Sequence, residues 1–178
     1  HGKSSRPKPT AYISDYEDYL KDIDALFGKV KNFVPDVPVF IFGHSMGGGM
    51  VAAYSLKYKP EVDGIILSAA ALKPDEGVPK VLIASASLLS AVLPKLKVLK
   101  IDTEMTSHDP FEVKKYQEDP LNYHEDVPAR TGYQLLRMIR EIESKSNQFR
   151  YPVLLLHGTG DQLTNPKGTE EFFRNIAS

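Results

Sequence analysis

The sequence predicts an α/β fold: a parallel sheet flanked by helices, with a long helical insertion between two of its strands. Three observations carry this reading. Apolar runs without polar alternation stand at residues 37–42, 64–69 and 152–158, the form taken by parallel strands buried on both faces. Helical patterns separate them, which implies right-handed crossovers. The pentapeptide Gly43-His44-Ser45-Met46-Gly47 joins the first run to a glycine-rich helix start. A Gly-x-Ser-x-Gly turn between a strand and a helix lifts the serine hydroxyl above the sheet edge and aims the helix N-terminus at it.

Residues 1–9 are polar, hold two prolines and read as a loop. Ser14 and Glu17 have the three-residue spacing of a capping box. Apolar residues then recur at Ile13, Tyr16, Leu20, Ile23, Phe27, Val30 and Val34, alternating steps of three and four. This is an amphipathic helix for one face of a sheet, ended by Pro35 and Pro38. The first strand spans 37–42, and the helix after Ser45 runs to about Tyr58, where Pro60 stops it. The second strand is 64–69 and the third 152–158. A last helix follows from Thr164 or Asn165, with Pro166 at its first position. Residues 70–151 contain no clear strand. Helical patterns at 81–93, 110–118 and 131–142 dominate there, and an insertion of this size at the carboxyl edge of a parallel sheet reads as a helical cap at about 71–150.

Composition narrows the class. The chain has 178 residues, 42% of them hydrophobic and 25% charged, with a net charge of −1. That is enough for one domain with a real core and gives no electrostatic case for a nucleic-acid partner. There are no cysteines, so disulfides, a cysteine nucleophile and thiolate metal sites are excluded. No stretch reaches the ~20 apolar residues of a membrane span. The chain begins with His1 and carries no signal-like segment. It reads as a fragment or processed product, set in the cytoplasm or at a membrane periphery, with no oligomeric state assigned.

Ser45 is the candidate nucleophile, with Gly43 and Gly47 as the glycines of a turn so tight that no side chain fits at either. A buried turn serine in another parallel α/β protein gives the same pattern, but the strand and helix on either side favour catalysis. A serine hydroxyl needs a base to take its proton, and in this fold the chain order is Ser, then Asp or Glu, then His. Asp161 follows the third strand through Leu156-His157-Gly158-Thr159-Gly160. Alone it is equally a turn acid near a helix start; with the serine turn upstream, the catalytic reading wins. No histidine lies in 162–178. His157 reads as a packed or hydrogen-bonded strand-end residue, His44 as a residue beneath the turn, and His108 and His124 as cap residues rather than a metal pair. The Met46 N–H is one oxyanion donor; a second belongs on a loop after an earlier strand. No metal or organic cofactor is implied.

These stretches resemble the monoacylglycerol lipase and lysophospholipase-like branch of the α/β-hydrolases, also grouped with serine aminopeptidase-like proteins. Val37-Pro38-Val39-Phe40-Ile41-Phe42-Gly43-His44-Ser45-Met46-Gly47-Gly48 is nearly the family's serine turn as it stands. His1-Gly2-Lys3-Ser4-Ser5 resembles its Gly-His-Gly-x-Ser loop, although Arg6-Pro7-Lys8-Pro9 replaces a more glycine-rich stretch. Asp109-Pro110 through Asp119-Pro120-Leu121, with Tyr116, resembles its cap segment, and residues 155–163 resemble its acid loop. The resemblance implies further strands before His1. It also implies a catalytic histidine roughly thirty residues after the acid, beyond Ser178. The expected molecule is therefore the central part of an α/β-hydrolase sheet with a helical cap, truncated at both ends, inactive alone and prone to aggregate.

The resemblance further implies a serine ester hydrolase acting on acyl glycerols through an acyl-enzyme on Ser45. A lysophospholipase or short-acyl carboxylesterase is the alternative within enzymes, and a non-catalytic α/β-hydrolase-fold binding module the alternative outside them. The partner implied is an amphiphilic acyl ester. Val81, Leu82, Leu88, Leu89, Val92 and Leu93 form an apolar stripe in the cap. In family members such a helix borders an acyl tunnel and can touch lipid; ordinary packing onto the domain is the other reading.

Overall fold

The structure is a computed structural model that describes residues 3, 10–33, 35–74 and 77–176. It divides into two compact units. One comprises residues 15–74 and 137–178, the other residues 1–14 and 75–136.

The first unit holds the parallel sheet. Helix α1 (Tyr16–Phe33) is followed by β1 (Phe40–His44), α2 (Met46–Tyr58) and β2 (Gly64–Ser68); later come β5 (Val153–Leu156) and α6 (Pro166–Asn175). The strand order is β1-β2-β5 and both pairings are parallel. In register, Phe42 faces Ile66 and Leu154, and His44 faces Ser68 and Leu156. Strand side chains alternate between faces. Gly43, Ile65 and Leu67 therefore share one buried face, on which α2 packs. Phe40, Phe42, Leu154 and Leu156 share the other and are 48–61% exposed. The expectation of strands buried on both faces is thus corrected: their unbroken apolar runs are matched by cover on one side only among the described residues. Residues 1–178 alone are expected to self-associate and to enhance the fluorescence of a hydrophobic dye. A monodisperse sample that leaves the dye dark would contradict this.

Helix α1 starts one turn later than its apolar pattern. Ile13 is buried ahead of the helix, and Val34 lies outside the described residues. Its first turn is held by Asp15, whose carboxylate accepts from the Glu17 N–H at 3.1 Å, so Asp15 rather than Ser14 caps it. A half-buried cluster pins this helix to the later part of α5 (Ala129–Lys145) within the same unit. The fully buried Tyr16 donates its hydroxyl proton to Glu141, which also accepts from Lys145 at 2.7 Å. Burial and this acidic partner push the Tyr16 hydroxyl well above the usual tyrosine range, so it remains a donor throughout physiological pH.

Strand β1 begins three residues later than expected and runs two residues further, into the serine turn. Helix α6 begins as the sequence predicts. Asn165 caps it by accepting from the Lys167 N–H at 3.1 Å, and Pro166 takes the first helical position, where its missing N–H costs nothing.

The second unit carries α3 (Lys80–Val92), β3 (Lys97–Leu99), α4 (Pro110–Glu118), β4 (Val127–Pro128) and the first part of α5. Helix α4 opens on Asp109, which accepts from the Phe111 N–H at 2.8 Å, with Pro110 next. The antiparallel pair β3–β4 is a departure from the strand-free insertion expected of 70–151. With three and two residues they are too short to give a period-two pattern. The unit is further tied by the Ala129 N–H to the Leu96 carbonyl at 2.7 Å, and by Arg130, which donates to the Ser14 carbonyl at 2.7 Å. Among the described residues no helix is long and apolar enough to cross a membrane.

Candidate active site

Ser45 stands between β1 and α2 with φ 54° and ψ −124°. A non-glycine residue at positive φ costs of order 1–3 kcal/mol and persists only where its surroundings fix it. Here they do. The Ser45 N–H donates to the Ser68 carbonyl at 2.9 Å, and the Ser45 carbonyl accepts from Gly49 at 3.2 Å and Ala71 at 3.0 Å. The loop after β2 thus clamps the turn from its open side, and Ala69 in that loop is itself at φ 43°.

The glycines of the turn are not equivalent. A Cβ on Gly43 would lie 2.6 Å from the Gly47 carbonyl oxygen and 2.8 Å from the Gly48 Cα. On Gly48 it would lie 2.6 Å from the Ala70 Cβ, and on Gly49 2.8 Å from the Ala71 carbonyl oxygen. At Gly47 nothing lies within 4 Å. The expectation that both Gly43 and Gly47 are sterically required holds for Gly43 alone; the close approach on the helix side falls on Gly48 and Gly49. Gly43→Ala is expected to lower unfolding stability by about 1–3 kcal/mol through overpacking, and Gly47→Ala to stay within about 1 kcal/mol of neutral. Equal losses in chemical denaturation would contradict this asymmetry.

Met46 is the first residue of α2, and its N–H is among those with no intrahelical partner. No acceptor holds it among the described residues. It therefore remains available to an oxyanion beside Ser45. The Ser45 hydroxyl likewise has no hydrogen-bond partner among the described residues. His44 was expected beneath the turn. It lies instead on the exposed sheet face, its Nδ1 3.1 Å from the Ser68 hydroxyl, because the strand continues through it and its parity matches Phe42.

Asp161 sits in the loop after β5. One carboxylate oxygen, Oδ1, accepts from the Leu163 N–H at 2.8 Å and the Thr164 N–H at 2.9 Å. The other, Oδ2, accepts from the Thr164 hydroxyl at 2.6 Å and lies 3.3 Å from His157 Nε2. Burial acts to raise the Asp161 carboxyl. The Thr164 hydroxyl, the two N–H groups and the neighbouring His157 outweigh it and hold the group below its ordinary 3.8. A depressed carboxylate contributes stability that is fully present above the unfolded value and is lost as pH falls through the folded one. The parent should therefore lose that component as pH falls below about 4, and Asp161→Asn, which never carries it, should lack that step in its acid denaturation. A parent and a variant with the same pH profile would contradict it.

Strands β1 and β5 flank β2, so their ends are two strand spacings apart, roughly 10 Å. Ser45 and Asp161 leave the same edge of the sheet. Asp161 is carried by the loop five residues past the end of β5, and the imidazole beside its carboxylate is that of His157. His157 is held by its own surroundings: Nδ1 is 2.7 Å from the Thr169 hydroxyl and Nε2 3.1 Å from the Thr164 carbonyl. The strand-end reading of His157 fits these contacts. Thr164 and Thr169 were not singled out from the sequence. Thr164 could have been, because a hydroxyl three residues after an aspartate is the spacing of a local side-chain turn. His1 and Gly2 lie outside the described residues. His124 Nε2 is 3.1 Å from the Asp119 carbonyl. Among the described residues no cluster of three or more His, Asp or Glu side chains is arranged to hold a metal.

A strained serine and a buttressed aspartate on one edge of a parallel sheet agree with the comparison to known families. The family model described as serine aminopeptidase, S33, matches residues 1–178.

The chain belongs to the serine aminopeptidase S33 family.

Within it the chain resembles the monoacylglycerol lipases. It is 31% identical to the monoacylglycerol lipase of Mycolicibacterium smegmatis over 178 residues, all of this chain and 63% of that protein. It is 32% identical to the monoglyceride lipase of Rattus norvegicus over 169 residues, 94% of this chain and 55% of that one. The crystal structure of the Paleococcus ferrophilus monoacylglycerol lipase superposes with a TM-score of 0.86 at 29% identity, covering 99% of this chain and 65% of that one. The chain therefore spans about 55–63% of the length of these curated relatives. Its S33 fold is that of a monoacylglycerol-lipase-like α/β-hydrolase.

Proposed function

We propose that the protein is a serine hydrolase that cleaves carboxylic esters of acyl glycerols through an acyl-enzyme on Ser45. The observation that carries the reading is the serine held at positive φ on the sheet edge, with the unpartnered Met46 N–H beside it. Likeness to monoacylglycerol lipases supports the substrate class.

In this mechanism the Ser45 Oγ attacks the ester carbonyl while a histidine outside residues 1–178 takes its proton. Asp161 orients that histidine and offsets the charge it gains. The carbonyl oxygen becomes an oxyanion and accepts from the Met46 N–H. As the carbon–oxygen bond to glycerol breaks, the histidine returns its proton to the leaving alkoxide. Water then attacks the acyl-enzyme by the same route, releasing fatty acid and regenerating Ser45. Residues 1–178 by themselves are inactive on this reading, because the histidine that serves Ser45 lies outside them; both ring nitrogens of His157 are engaged by its own loop and α6.

The insertion at about 71–150 is proposed as the cap. On α3, Val81, Leu88 and Val92 are 66–75% exposed and continue into the exposed Leu93. We place lipid contact on this stripe. Replacing Leu88 and Val92 with serine is expected to lower co-sedimentation with phosphatidylcholine vesicles severalfold; undiminished binding would remove the stripe from that role.

The testing experiment is fatty-acid release from a monoacylglycerol by the full-length protein. Release from the monoacylglycerol supports the reading. Release confined to lysophospholipids or short-acyl esters moves the substrate class, and no release from any of the three would favour a non-catalytic binding module.

A further inference from the structure

We infer that Thr164 and His157 are positioning residues for Asp161, joined with Thr169 into a one-directional chain of hydrogen bonds that ends on its carboxylate. The functional half of this inference rests on the proposed role of Asp161; the hydrogen-bond chain itself does not.

The direction follows from which groups can donate. The Thr164 carbonyl only accepts, so His157 Nε2, at 3.1 Å, carries the ring proton. In a neutral imidazole Nδ1 is then the acceptor, and the Thr169 hydroxyl at 2.7 Å must donate to it. The Thr164 hydroxyl has one proton. Asp161 Oδ2, at 2.6 Å, is an ionised acceptor and takes it. The Thr164 oxygen is left with lone pairs facing the Nε2–H at 3.3 Å. Protons thus point from Thr169 to His157 to Thr164 to Asp161 without a conflict.

The chain is built rather than incidental. Thr164 is 8% exposed and the His157 side chain 6% exposed. Thr169 reaches the ring from α6, whose start is fixed by the Asn165 cap. Gly168 fits against Lys73 so closely that a Cβ there would lie 2.7 Å from the Lys73 Cβ. The helix that supplies Thr169 is therefore seated against the loop after β2, the same loop whose Ala71 clamps Ser45. One loop thus fixes both ends of the site.

The consequence for Asp161 is an acceptor count. A carboxylate offers about four lone-pair directions. Two on Oδ1 are taken by N–H groups and one on Oδ2 by the Thr164 hydroxyl. The fourth direction, on Oδ2, faces His157 Nε2 at 3.3 Å, whose proton is held by the Thr164 carbonyl at 3.1 Å, so it stays open to an incoming imidazole N–H. Without the Thr164 hydroxyl the Oδ2 position loses its anchor, and the remaining ligand, Nε2 of His157 at 3.3 Å, is free to turn onto it and compete.

The test has two arms on the full-length protein. In the first, nitrogen-15 chemical shifts give the His157 tautomer. The Nε2–H form is expected, with Thr169→Val shifting the Nδ1 resonance; an Nδ1–H form overturns the chain. In the second, Thr164→Val, which keeps the side-chain volume, is expected to lower kcat by about 10- to 100-fold, the cost of misplacing a reacting group by up to about 1 Å. KM should stay within about threefold, and Thr164→Ser should restore kcat to within about threefold of the parent. An unchanged kcat in Thr164→Val, or a loss that serine does not restore while unfolding midpoints match, overturns the positioning role. If the parent releases no fatty acid, the proposed function has failed, and the tautomer alone then decides the hydrogen-bond chain.

Discussion

Ser45→Ala is expected to lower monoacylglycerol turnover in the full-length protein by roughly 10⁵- to 10⁶-fold, the cost of removing a serine nucleophile whose partners act as a unit. The fold should persist. What fixes this turn is backbone: the Ser45 N–H on the Ser68 carbonyl, and Ala71 on the Ser45 carbonyl. The hydroxyl has no partner among the described residues, so its removal strands nothing. KM should move little, because substrate binding is not what the Oγ supplies. A variant with unaltered circular dichroism and a residual rate above one-hundredth of the parent would remove Ser45 from the chemistry.

Asp161→Asn should cost about 10⁴-fold in kcat. Asparagine keeps one carbonyl oxygen, which can still accept from the Leu163 and Thr164 N–H groups, so the loop after β5 should hold. Its amide offers no charge to a protonated imidazole and presents a donor where Oδ2 accepted. The loss should therefore appear in kcat with the fold preserved and the melting temperature lowered only by the stability the depressed carboxylate contributes. A tenfold effect or less would leave Asp161 as a turn acid, the alternative its sequence position leaves open.

Much of this was legible in the residues, for identifiable reasons. Pro110 after Asp109 marked one helix start, and Pro166 bounded another to within two residues, because proline cannot sit deeper in a helix. The Gly-x-Ser-x-Gly turn marked the strand-to-helix junction, because few backbones bring a serine to positive φ there. Other features were not legible. The exposed face carrying Phe40 and Leu154 reads identically to a buried one, since apolar residues record what a strand is suited to meet and not what covers it. The pair β3–β4 is too short for periodicity. Gly47 and Gly43 look alike in the motif, and only the backbone path shows that Gly43 alone is pressed against its neighbours. His157 could be set aside as a base from chain order. Its role as the middle of a chain reaching Asp161 needed the positions of Thr164 and Thr169 in space.

The central claim is a covalent one, so the most direct measurement is to trap it. The full-length protein would be treated with a fluorophosphonate and the adduct located by peptide mass spectrometry. The account predicts a single phosphonylated residue, Ser45, with loss of fatty-acid release in proportion to labelling and no adduct in Ser45→Ala. Complete inactivation with Ser45 unmodified, or full labelling of Ser45 with release undiminished, would contradict it.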